Sequence, residues 1–277
     1  MISEAVPGSG SARSVLRLAC LRPATCAASF PPVTETPLPI VAHINDRSAS
    51  REEVLAWERV RAVKVAGKLG VSEASADVAT LRRTLVDRKL ELGHEAIEKR
   101  LARPLWVAER VAVVQAGLAR GGRRPCTIEL SSPVGSAELI PGWYGEAIMA
   151  NDEVPLIAAC PDHWISRSHP DGRQEVIETT GGSPIPVRMF FDDSDLSTLQ
   201  ASPDPAFPVQ WTAVARTAQG TPIGGIRHQF RDDAQGFRVR LTVEFPAGTL
   251  PHMVGAHRWH LACEFSNWLE AANGASG

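Results

Sequence analysis

Residues 237–245 read FRVRLTVEF, an alternation that sets Arg238, Arg240, Thr242 and Glu244 on one face of a strand and Val239, Leu241, Val243 and Phe245 on the other. A period of two over that length specifies an antiparallel strand with one wet face and one dry face. The same period runs upstream, where 174–180 and 185–191 are predicted strands joined across GGSP, and 209–217 and 223–231 are joined across AQGTP. A long helical stretch, 251–273, follows the last strand. Consecutive hairpins ahead of one terminal helix leave few economical packings. The simplest folds a curved sheet around the helix, a helix-grip α+β domain over 123–277 with a cavity between the layers.

The first half of the chain has a different rhythm. Ser50 followed by Glu53 is a capping-box start, the apolar series Val54, Leu55, Val60, Val63 and Val65 follows, and Gly70 supplies a stop. A second helix is predicted over 75–101 on Leu81, Leu85, Leu92 and Ile97. Pro104 then opens a third, to 118, closed by Gly121 and Gly122. Together these make a helical module over 46–122. Within it, 65–85 (VAGKLGVSEASADVATLRRTL) has the look of a helix-turn-helix, but ten basic against seven acidic residues over 58–101 is too balanced for a strong phosphate footprint. Tandem amphipathic helices account for the same pattern. Residues 1–45 are rich in Ala, Ser and Pro, carry Arg13, Arg17 and Arg22, and hold no acid between Glu4 and Glu35. They read as a disordered extension, with a targeting segment as the alternative, and deleting them is expected to leave folding unchanged.

Charge and cysteine usage exclude several classes. Twenty-nine basic against thirty-one acidic side chains leave a net charge of −2, so no whole-chain field draws nucleic acid or an anionic membrane. The expected partner is a small aromatic molecule; a homodimer is left open. Five cysteines without a CxxC argue against a disulfide scaffold and for a reducing, cytoplasmic setting. No apolar run reaches the ~20 residues that cross a bilayer.

Chemistry concentrates in the terminal helix and the strands before it. His260 and Glu264 stand four residues apart, on one helical face and about 5–6 Å apart at Cβ, so an imidazole and a carboxylate can meet on one ion. With His257 and Asn267 they form a polar stripe beside an apolar stripe of Val254, Leu261, Phe265 and Trp268. A solvated His/Glu pair is the alternative. On the strands, His228 shares a face with Ile226 and Phe230, and Glu178 shares one with Val176. A carboxylate set among apolar neighbours is rare unless it is paired or holds a metal. Upstream, ACPDHW offers Cys160 and His163, and SRSHPDG offers His169 ahead of a turn.

Three blocks in the same order, WYGEAIMANDEVPLIAACPDH (143–163), EVIETTGGSPIPVRMFFDD (175–193) and GGIRHQFRDDAQGFRVRLTVEFP with the His-x-x-x-Glu helix (224–264), resemble the 2,4-diacetylphloroglucinol hydrolase family. The most specific part is HLACEFSN. The resemblance implies a Bet v 1-like domain that binds zinc through two histidines and two glutamates and hydrolyses a carbon–carbon bond between an acyl group and a phenolic ring. Carried over by position, His260, Glu264 and Glu178 would be zinc ligands. The family's Trp-His-Pro-x-x-His stretch is replaced here by Ala159-Cys160-Pro161-Asp162-His163, which makes His163 the expected fourth ligand, with Cys160 also acceptable to zinc and His169 a further alternative. A retro-Claisen hydrolysis needs a proton at the ring carbon, and His228 or His257 is expected to deliver it. The single tyrosine, Tyr144, limits the transfer of phenol-binding residues.

The first expectation is therefore a zinc-dependent hydrolase of an acylated phenolic or polyketide-like molecule, with a cavity walled by Val239, Leu241, Val243, Phe245, Phe265 and Trp268. The second is a helix-grip carrier in which His260 and Glu264 merely hydrogen-bond. The third is a ligand-responsive DNA-binding regulator reading through residues 60–100.

Overall fold

The computed structural model describes residues 37–72 and 76–275. Most of the extension read over 1–45, with Cys20 and Cys26, lies outside the described residues, as does Ser75, the expected start of the second helix. The elements run β1 (Val41–Ile44), β2 (Arg47–Ser50), α1 (Arg51–Leu69), α2 (Val78–Ala119), β3 (Arg123–Ser132), α3 (Leu139–Ala150), α4 (Glu153–Ala158), β4 (His163–Ser168), β5 (Gln174–Glu178), β6 (Val187–Asp192), β7 (Val209–Arg216), β8 (Pro222–Asp233), β9 (Gly236–Pro246) and α5 (Pro251–Ala275). The protein is α+β. Its nine strands form one antiparallel sheet in the order β2-β1-β3-β9-β8-β7-β6-β5-β4.

The expected hairpins are present. Gln174 pairs with Phe191 across β5–β6, Val209 with Phe230 across β7–β8, and β9 runs between β8 and β3. α5 lies along one face of the sheet against β3 and β1, flanked by α1 and α3. Its apolar stripe closes a core with the sheet: Leu261, Phe265 and Leu269 pack with Ile128, Leu130, Phe237, Val239 and Leu241.

Three expectations are corrected. First, residues 41–44, inside the stretch read as a disordered extension, form β1, and Ile40, Ala42 and Ile44 are buried. Four residues within a Pro-rich context carry too little periodicity to be seen, and the strand exists because β3 offers it an edge. Second, residues 46–122 are not a module apart. α1 starts on the capping box, Ser50 accepting from the Glu53 amide while Glu53 accepts from the Ser50 amide, and ends at Gly70 with φ 71°, where glycine costs least. Its Val54 joins the sheet core, while Leu81, Leu85 and Ile97 of α2 pack on Trp164, Ile165 and Ile177 of β4 and β5. Third, the break in the second helix falls at Gly93, with φ 70° and ψ 166°, and Pro104 sits inside helical structure. Glycine takes up the kink, and the carbonyl that Pro104 leaves without an N–H belongs to exposed Arg100, within reach of water. Of the arginines after the helix-turn-helix look-alike, Arg82 is turned inward onto buried Glu58.

Candidate metal centre

β4, β5 and α5 bring four of the proposed ligands to one place. His163 is the first residue of β4 and Glu178 the last of β5, and they are direct cross-strand partners, so their side chains leave the sheet on the same side. α5 passes over that corner and supplies His260 and Glu264, one turn apart. The His163 Nε2 lies 3.1 Å from the His260 Nε2, 3.6 Å from Glu178 Oε2 and 3.6 Å from Glu264 Oε1, and the His260 Nε2 lies 3.9 Å from Glu178 Oε2. Four ligands about 2.0–2.2 Å from a tetrahedral ion stand about 3.3–3.6 Å from one another. The measured separations bracket that value.

The protonation pattern fits the same arrangement. His163 Nδ1–H donates to the Leu156 carbonyl at 2.9 Å, which leaves its Nε2 lone pair aimed at the cluster. Burial takes His163 down to about 4, against the pull of the Leu156 bond and with help from the Lys89 charge, so the ring is neutral at pH 7. Burial, then the neighbouring His257 and His163, hold His260 well below the ordinary histidine value. Burial raises both carboxyls, Asp162 adding to the effect at Glu178 and Glu178 to that at Glu264. Among the described residues, the ion pairs these carboxylates make are with the two histidines. Two buried acids that favour their neutral form face two neutral imidazoles, and a divalent cation bound among them would displace the carboxyl protons.

Cys160 stands on the other side of His260, its sulfur 3.7 Å from Nδ1. The three buried side chains Cys160, His163 and His260 offer ligand atoms within 4.8 Å of one another and could hold a metal ion. The carboxylates face the Nε2 side of His260 and the thiol the Nδ1 side. Burial pushes the Cys160 thiol well above its ordinary value, whereas a metal needs the thiolate. Burial raises the two carboxyls on the Nε2 side as it raises the thiol on the Nδ1 side, so a cation on either side would have to displace protons. His169, the other alternative, is held away from the cluster by Glu175, at 2.7 Å.

The segment that presents His163 is fastened at each residue. Asn267 and Cys263 of α5 donate to the Ala159 carbonyl, Arg61 of α1 makes a two-bond fork to Asp162 at 2.7 Å each, and Lys89 of α2 donates to the Pro161 and His163 carbonyls. Asn267 belongs in turn to a buried network with Arg51, Glu58, Arg82 and Glu270. Sequence reasoning missed Lys89, Arg61 and Glu58, since a charged residue on a helix ordinarily reads as solvated surface. Only the partners reveal the burial.

A cavity of about 600 Å³ opens beside the cluster. Trp211, Trp268, Tyr144 and Phe245 provide aromatic wall, Val176, Met189 and Ile226 aliphatic wall, and Ala108, Val111, Ala112 and Gln115 of α2 a cover. His163, Glu178 and Glu264 reach it, with His228 and His257. Among the described lining residues there is no Lys or Arg. Of the six expected wall residues, Val243, Phe245 and Trp268 line the cavity, whereas Val239, Leu241 and Phe265 do not; they are buried in the core against α5. The strand face is the one expected, but α5 covers the 237–241 half of it and leaves only the 243–245 end open.

His228 points inward as expected, its ring 4.9 Å from Phe265 and 5.5 Å from Trp211, with Nδ1 unpartnered. His257 stacks on His260 at 4.9 Å and accepts from the Gly181 amide through Nδ1, which leaves Nε2–H as a donor. Burial, with each one's histidine neighbour, holds both at about 3. Burial also keeps Tyr144 protonated, 4.3 Å from Trp211 and 5.1 Å from Trp268. No described helix is long and apolar enough to cross a membrane. Compared with protein-family models, curated proteins and solved structures, the chain matches none.

Proposed function

We propose that the protein is a zinc-dependent hydrolase that cleaves a carbon–carbon bond in an acylated phenol or related aromatic ketone, with a helix-grip, Bet v 1-like arrangement of sheet and terminal helix as its frame. The observation that carries this reading is that His163 Nε2 lies 3.1 Å from His260 and 3.6 Å from each of Glu178 and Glu264, with His163, Glu178 and Glu264 on the wall of an aromatic cavity. Two imidazoles and two carboxylates are a nitrogen–oxygen donor set that zinc accepts. Bound there, zinc would supply Lewis acidity, polarising a carbonyl and making a water acid enough to ionise near neutral pH.

The chain's own residues do the rest. Trp211, Trp268 and Tyr144 are placed to clasp a flat ring, and a lining without Lys or Arg favours a neutral ligand over a carboxylate or phosphate. His228 and His257, neutral at pH 7, act as N–H donors to a substrate oxygen or as bases, rather than as imidazolium acids. Tyr144, kept protonated by burial, can donate a hydrogen bond to a substrate oxygen, a role that sequence reasoning left out. A non-catalytic carrier is the second reading, and one observation favours it. A single proton on His260 Nε2, donated to His163 Nε2 across 3.1 Å, satisfies the histidine pair with no cation.

Metal analysis separates the two. Purified protein should hold about one zinc per chain, lost in His260→Ala, and should hydrolyse a neutral monoacylphenol while ignoring its carboxylated analogue. Protein that stays metal-free when dialysed against zinc, yet binds the acylphenol, is a carrier.

A further inference from the structure

We propose that Lys89 is a positioning residue for the metal centre: its buried ammonium, reaching from α2 to the Pro161 and His163 carbonyls, sets the angle at which His163 presents Nε2. The inference rests on the metal reading above and concerns what makes that site accurate. Lys89 is 2% exposed, and its Nζ donates to Pro161 O at 3.0 Å and to His163 O. The two carbonyls are related by strand alternation. Asp162 O, between them, points the other way and accepts from the Thr179 amide at 2.9 Å, so 161 and 163 face α2 together. The ladder cannot satisfy them there, because β4 is the edge strand of the sheet and β5 lies on the side that Asp162 O faces. Lys89 takes the place of the missing strand partner.

A neutral side chain would make a cheaper scaffold. Burying an ammonium costs several kcal/mol that a methionine of similar length does not incur. What the ammonium adds is direction: two donors from one point fix the peptide planes on both sides of Asp162, while Arg61 fixes the Asp162 side chain. With the backbone held from the α2 side, and Nδ1 held by Leu156 on the other, the His163 ring has no free torsion left. Its Nε2 must then stand within a few tenths of an ångström of the position the other three ligands require.

The test compares wild type with Lys89→Met, and with Leu105→Ala as a control that weakens α2 packing without touching the 159–163 segment. Zinc affinity is measured by competition with a chromophoric chelator, and the visible spectrum of the cobalt(II)-loaded protein reports ligand geometry. Lys89→Met should bind zinc about 10- to 100-fold more weakly and alter the cobalt bands. Leu105→Ala should leave both unchanged even where its melting temperature falls as far. If Lys89→Met does not fold, Lys89→Leu, which likewise has no side-chain N–H donor, is read by the same criterion. Wild-type affinity and an unaltered cobalt spectrum in the folded variant overturn the inference and leave the metal reading standing. A wild-type protein that binds neither zinc nor cobalt overturns both.

Discussion

Gly181 offers the sharpest test of how the site is assembled. It lies in the turn between β5 and β6, and its amide donates to His257 Nδ1 of α5 at 3.2 Å. A methyl group placed on it would sit 2.5 Å from the carbonyl carbon and oxygen of Ala256 and 2.5 Å from the His257 Cα. All three are backbone atoms, so no rotamer relieves the overlap. Ordinary contact begins near 3.4 Å, and so turn and helix must part by close to 1 Å. Overpacking of that kind costs about 1–3 kcal/mol. At about 2–4 °C per kcal/mol for a domain of this size, Gly181→Ala should lower the melting temperature by about 5 °C. The same displacement carries His260 and Glu264 away from His163 and Glu178, and zinc affinity should fall about 10-fold or more. Gly255→Ala is the control in the same helix. A methyl group there meets nothing within 4 Å, and removing a helical glycine should stabilise by about 0.5–1 kcal/mol. Differential scanning fluorimetry with and without zinc, plus chelator competition, reads all three proteins. A Gly181→Ala protein that melts and binds zinc like the wild type would show that α5 does not bear on this turn as described.

Glu264→Gln should leave the melting temperature of the metal-free protein close to wild type, because burial and Glu178 already favour the protonated, neutral form of that carboxyl, and should abolish the gain from zinc, about 2.7 kcal/mol at a hundredfold excess over Kd. An equal loss with and without zinc would refute that account. His228 and His257 refuse protons in the folded state down to about pH 3, while unfolded histidine accepts them near 6.5; stability is therefore complete above 6.5 and drains as pH falls toward 3. At pH 5 the loss is about 2 kcal/mol per histidine, and a melting temperature that is flat between pH 7 and 5 would contradict it. Deleting residues 1–45 removes β1 with Ile40 and Ile44, each worth about 1.5–3 kcal/mol of burial, so the truncated protein should melt well below the full chain, in contrast to what the composition of that stretch suggests.

What the sequence could disclose was what repeats locally. The β9 alternation, the Ser50–Glu53 box and the i, i+4 spacing of His260 and Glu264 are short-range patterns, and the structure carries each of them. Glu178 was legible because a carboxylate among apolar neighbours breaks its strand's pattern. Lys89, Arg61 and Glu58 break no pattern, since charged residues belong on helices, and their burial is decided by partners 74, 101 and 209 positions distant. Likewise the strand face of the cavity could be chosen from alternation, but how far along it α5 reaches is set by three-dimensional packing. Gly93 and Pro104 each could have broken α2, and sequence alone did not say which would yield.

β3 pairs with β9, with Arg123 opposite Pro246 and Ser132 opposite Phe237, so the chain that carries β4 to β8 is a long loop closed by these two strands. Closing a loop of that length precedes any reward from the contacts it makes, which places this protein among slow folders dominated by non-local pairing. The proposed ligands are spread from β4 to α5 in the same way, and two of them arrive on α5, after every strand of the sheet. A growing chain can therefore form hairpins and helices early but cannot capture a cation through this centre until α5 is free of the ribosome. Uptake of metal would then report the docking of α5, and a chain terminated before α5 would carry the cavity-forming strands without the ion.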